Sequence, residues 1–84
     1  MNAKEASEKA SDVRAIINRE TRTAIYKTIN RLSGMGRYQC YKNTSHLYKD
    51  EVKTLIKELR ALGYKVRRDS FNTIYIRWER KDRV

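Results

Sequence analysis

A chain of 84 residues, 39% apolar and 36% charged, suffices for one small domain with a modest core, because short chains hide a smaller share of their surface. Twenty Lys and Arg against ten Asp and Glu leave a formal charge of +10, and that self-repulsion favours an anionic partner: nucleic acid, an acidic membrane or an acidic protein. The single Cys40 excludes an intramolecular disulfide and a thiolate cluster, and no apolar run approaches the length of a membrane span. The N-terminus "MNAKEASEKA" has no signal-peptide core, so a soluble, intracellular protein without a membrane partner is expected.

The first element reads as helix from about Ala3 to Ser33, rich in Ala, Lys, Glu, Arg and Ile with no breaker. Ala10, Val13, Ile17 and Ala24 recur on one face, while Ile25, Ile29 and Leu32 fall on another. The polar stretch "NRETRT" separates them. Two arrangements fit: one long helix whose halves meet different neighbours, or a helix broken near residues 19–22. An exposed first half would suit self-association through Val13, Ile16 and Ile17. Gly34 and Gly36 supply the stop.

"RYQCY", residues 37–41, has the alternation of a short strand with Tyr38 and Cys40 facing one way, and "KNTS" reads as a loop. The helical period returns from about Leu47 through Tyr48, Val52, Leu55, Ile56, Leu59 and Leu62. Asp50 and Glu51 near its start and Lys57 and Arg60 near its end suit the helix dipole. Gly63 closes it in a left-handed cap, with Tyr64 placed to fold back on the last turn. "YKVRRDSFNTIYIRW" then alternates as a hairpin about the turn "RDSFN". Tyr64, Val66, Ile74, Ile76 and Trp78 share one side; Lys65, Arg67, Tyr75 and Arg77 share the other. A lone hairpin is marginal, so it must pack on something.

The expected fold is therefore α+β, in the order α-β-α-β-β. A small three-stranded antiparallel sheet of residues 37–41, 64–68 and 73–78 is covered by helices on one face. The core would bring Trp78, Ile76, Ile74 and Val66 against Val52, Ile56 and Leu59. The final "ERKDRV" is a charged tail expected to fray.

Catalytic signatures are missing: there is no GxSxG, no Gly-rich phosphate loop and no HExxH. His46 and Cys40, six residues apart without a nearby carboxylate cluster, make a poor metal pair. No enzymatic activity, cofactor or metal is expected.

Basic surfaces remain. Between Thr21 and Lys49 lie Arg22, Lys27, Arg31, Arg37, Lys42 and Lys49 without a single acid. On the second helix Lys49, Lys53, Lys57 and Arg60 are spaced four, four and three apart and form one stripe, with His46 just before it. On the hairpin Lys65, Arg67, Tyr75 and Arg77, with Tyr41 and Arg37 nearby, interleave cations and aromatics as single-strand binders do. The same pattern is also an ordinary wet sheet face. A helix ending in glycine and running into a hairpin is the back half of a winged helix-turn-helix. A strand and a polar loop occupy the place of its second helix, so the plain α-β-α-β-β domain is preferred.

The "MNAKEA" helix, the "YQC" strand after the glycines, "LGYKV" and the closing "IYIRW" together resemble small accessory proteins of tailed bacteriophages, over nearly the whole chain. Lys49 departs from the Ser or Thr helix cap that such sequences carry before "DEV". The resemblance implies a bacteriophage accessory or virion protein in the host bacterial cytoplasm and supplies no catalytic residues. The net charge and the two basic surfaces point to non-specific binding of nucleic acid through Lys53, Lys57, Arg60, Lys65, Arg67, Tyr75 and Arg77. The alternatives are a protein that inhibits or modulates a host protein, and a small structural subunit of the particle.

Overall fold

A computed structural model describes residues 2–78. The charged tail expected beyond Trp78 lies outside them. The order is α1 (Ala3–Gly34), β1 (Gln39–Asn43), α2 (Lys49–Ala61), β2 (Lys65–Ser70) and β3 (Thr73–Arg77). The strands form one antiparallel sheet in the order β1-β3-β2. The expected α+β architecture is the observed one.

α1 is a single unbroken helix of 32 residues. Its rotated apolar groups are reconciled by what each half touches. Ile25 and Ile29 enter the core, with Leu32 packed against it. The "NRETRT" segment is helical because its polar side chains have partners: Thr21 Oγ1 lies 2.8 Å from His46 Nε2, and Arg22 is 3.7 Å from the Glu58 carboxylate. Every described side chain from Asn2 to Val13 is exposed. This arm accounts for a radius of gyration of 15.4 Å, against about 12 Å for a compact chain of this length.

Both helices end alike. Arg37 N–H donates to Leu32 O at 2.9 Å and Gly36 N–H to Ser33 O at 3.0 Å. At the end of α2, Tyr64 N–H donates to Leu59 O at 3.1 Å and Gly63 N–H to Arg60 O at 3.0 Å. These are paired Schellman bonds, and Gly36 and Gly63 take the left-handed conformation at φ +77° and +98°. The first cap also corrects β1. Arg37 is used by the cap, so the strand spans 39–43 rather than 37–41.

The hairpin turn is tighter than "RDSFN". β2 runs on to Ser70, with a register shift between Arg68 and Ser70, and only Phe71 and Asn72 link it to β3. Thr44 ties the loop after β1 to this turn: its N–H donates to Asn72 O at 2.7 Å and its hydroxyl to the same oxygen at 3.2 Å.

One side of the sheet and the helices make the core. Cys40, Val66, Ile74 and Ile76 meet Val52, Leu55, Ile56 and Leu59, with Ile25 and Ile29 from α1. Leu59 and Ile76 are fully buried. Trp78 packs at the margin, edge-on to Tyr64 with ring centroids 6.4 Å apart. Burial pushes the Cys40 thiol up, away from the reactive thiolate.

Candidate nucleic-acid interface

The alternation of the hairpin puts its polar residues on the sheet face away from the core. Register arranges them in rows across all three strands: Gln39, Arg77 and Lys65, then Tyr41, Tyr75 and Arg67, then Asn43, Thr73 and Ser70. No carboxylate is paired within these rows among the described residues; Asp69, exposed, sits at the register shift between Arg68 and Ser70. In the middle row the Arg67 guanidinium lies over the Tyr75 ring, 4.8 Å from its centroid. Tyr41 tilts against Tyr75 at 5.0 Å and 47°. The Tyr75 hydroxyl donates to Gln39 Oε1 at 2.5 Å. Tyr75 is thus held on three sides.

A second basic surface lies round the edge of β2. Lys53, Lys57 and Arg60 of α2 and Arg67 and Arg68 of β2 line a groove floored by Ile56. Its five cations have no carboxylate among them. Arg60 is partly committed: its Nε and Nη2 donate to Val66 O at 3.1 and 2.7 Å, covering a carbonyl of the edge strand. Its charge still adds to the groove. The expected residues of helix and hairpin are therefore adjacent. Lys53, Lys57 and Arg60 share the groove with Arg67, whose edge position links it to Tyr75 and to the Lys65 and Arg77 row.

The sequence reading missed Arg68. Its parity puts it on the core side with Val66, which reads as a burial site. At the edge of the sheet that side opens into the groove, and only the strand order reveals this.

A third surface follows the free edge of β1. Arg31 of α1, Arg37, Lys42 and Arg77 line a broad cleft with Tyr38, Tyr41 and Tyr75, and no described acid is among the lining residues. Arg31, Arg37 and Lys42 belong to the acid-free block between Thr21 and Lys49. The remainder of that block scatters: Arg22 faces Glu58, and Lys49 opens α2.

One carboxylate organises the framework. Glu51, at the first turn of α2, accepts from Arg14 Nε at 3.1 Å and from Arg14 Nη2, from Asn18 Nδ2 at 2.5 Å and from the Tyr48 backbone N–H at 2.8 Å. Arg14 also lies over the Tyr48 ring at 4.2 Å and donates to His46 O at 3.0 Å. The Arg14 guanidinium holds the Glu51 carboxyl at about 2, helped by the Tyr48 and Asn18 donors and opposed by burial. Glu51 therefore remains ionised and bolts α1 to the start of α2. Its dipole role was legible in the sequence; the tether across 37 residues was not.

Charge follows the same division. Asn2–Val13 carries Lys4 and Lys9 against Glu5, Glu8 and Asp12, so the positive excess resides in the body and not in the arm. Among the described residues no group of three or more His, Cys, Asp or Glu could hold a metal ion. No described helix is long and apolar enough to cross a membrane. Fold and surface together define a small α+β domain whose described surface carries a basic groove beside β2 and a basic cleft beside β1. Compared with known proteins, the chain matches no family model, no curated protein and no solved structure.

Proposed function

We propose that this protein binds nucleic acid through phosphate contacts with little sequence specificity, and that it is a non-catalytic accessory protein of the bacteriophage kind its sequence resembles, acting in the bacterial cytoplasm. The observation that carries the reading is the groove in which Lys53, Lys57, Arg60, Arg67 and Arg68 converge without a carboxylate. Five like charges held together cost stability unless an anion neutralises them, and a phosphate backbone does so while releasing its counterions. Lys65, Arg77 and Tyr75 extend the same surface over the sheet. Low specificity follows from the side chains. α2 carries no Asn or Gln for bidentate contact with adenine, and three of its seven exposed residues are Lys, which binds phosphate as a point charge. The test is fluorescence anisotropy with labelled single- and double-stranded oligonucleotides from roughly 50 to 300 mM salt. Micromolar binding that weakens steeply with salt is expected; no binding at the low-salt end would overturn the reading.

A second reading rests on the hairpin tip, where Phe71 is 89% exposed. An aromatic side chain presented this way suits insertion into a host protein that the phage protein would inhibit or modulate. A bacterial-lysate pull-down after nuclease treatment separates the two. One stoichiometric protein retained by the wild type and lost with Phe71→Ala would favour the second. The arm offers a third reading, a self-associating particle subunit, since Val13 and Ile16 are 47% and 45% exposed.

A further inference from the structure

Resting on the nucleic-acid reading above, we propose that the outer face of the sheet is a base-stacking platform selecting single strands, with Tyr41 as the residue that takes the base. Three features of the sheet support this. First, Tyr75, the obvious stacking candidate, is occupied: Arg67 lies 4.8 Å from its centroid, Tyr41 tilts against it, and its hydroxyl is bound to Gln39. Second, Tyr41 is 55% exposed beside the free edge of β1, so its ring is backed by Tyr75 and open to solvent beyond it. A ring fixed from behind loses little freedom when a base stacks on it. Third, Tyr41 stands between two sources of phosphate contact: the cleft of Arg31, Arg37 and Lys42 at its own edge, and the groove of Lys53, Lys57 and Arg68 at the opposite edge.

The dimensions fit a strand rather than a duplex. Three strands span about 10 Å between the outer two, so a backbone crossing the sheet from groove to groove meets cations at both ends and rings between them. At about 3.4 Å per phosphate along one strand, that crossing spans about three nucleotides, with the flanking cations beyond it. The bases of a duplex are stacked on one another, so they cannot lie on Tyr41, and a duplex engages only the cations. Tyr38, 41% exposed in the same cleft, extends the aromatic surface at the entry from β1.

Anisotropy with three labelled probes tests this: an oligothymidylate of about twelve nucleotides, an abasic strand of the same length, and a duplex. The wild type is expected to bind the thymidylate about 5- to 150-fold more tightly than the abasic strand, the range that one stacked base supplies. Tyr41→Ala should remove that difference, and Tyr41→Trp should restore it. Equal wild-type affinity for thymidylate and abasic strands would overturn the stacking platform while leaving phosphate binding in place. Failure to bind any probe would sink both. The comparison of strands on the wild type does not depend on how well the variant folds.

Discussion

If the groove binds nucleic acid as proposed, the salt dependence of binding is set by how many groove cations meet phosphates, and Lys57→Ala combined with Arg67→Ala perturbs it directly. Both residues line the groove between α2 and β2, one from each element. Each neutralised phosphate contributes about 0.7 to the logarithmic salt slope for a single strand and about 0.9 for a duplex. With all five groove cations engaged the single-strand slope is about −3.5, and with two removed about −2.1. Over a fourfold rise in salt the wild type should lose on the order of a hundredfold in affinity, and the double variant only about twentyfold. The measurement is anisotropy at four or more salt concentrations with one labelled oligonucleotide. Lys4→Ala with Lys9→Ala is the control, because it removes the same charge from the exposed arm. Its slope should match the wild type. If both pairs flatten the slope equally, binding follows net charge and the groove has no special part. If neither does, the phosphates lie elsewhere and the assignment of Lys57 and Arg67 is wrong.

Acid should loosen the joint between the helices. The Glu51 carboxyl titrates at about 2 in the native state against an ordinary 4.5, so its stabilisation is complete above 4.5 and is lost as pH falls towards 2. Thermal melting from neutral pH down to about 2.5 should fall more steeply for the wild type than for Glu51→Gln, and parallel curves would refute the tether. Gly63→Ala isolates backbone strain, since a Cβ at that position meets nothing within 4 Å while φ is +98°. Urea unfolding should show a loss of about 1–2 kcal/mol, and an unchanged midpoint would contradict the left-handed cap. If the arm drives self-association, sedimentation at two concentrations should reveal a larger species that Val13→Lys with Ile16→Lys abolishes; a monomer at both concentrations would remove that reading.

What the sequence by itself determined is whatever depends on neighbours a few residues apart. The period of Val52, Leu55, Ile56 and Leu59 defined α2 and its buried face. Gly63 with Tyr64 defined its cap, and the alternation from Tyr64 to Trp78 separated Val66, Ile74 and Ile76 from Lys65, Arg67, Tyr75 and Arg77. Helical and strand periods are local, so a face can be read before its partner is known. The boundaries of β1 escaped because Arg37 had a rival use in the Schellman bond to Leu32. Continuity of α1 escaped too, since the groups that satisfy its polar midsection, His46, Glu51 and Glu58, lie far along the chain.

The tertiary structure alone decided which charges meet. Strand order β1-β3-β2 leaves β2 at an edge, and that turns Arg68 from an inward-facing position into a groove residue beside Lys53 and Lys57. The same order puts Tyr75 in the central strand, between Arg67 and Tyr41, and leaves Tyr41 beside the opposite edge with its ring exposed. Alternation says which face a side chain takes, but not which strand lies beside it. For a basic surface the neighbour matters most, because a phosphate is held by charges from several elements at once.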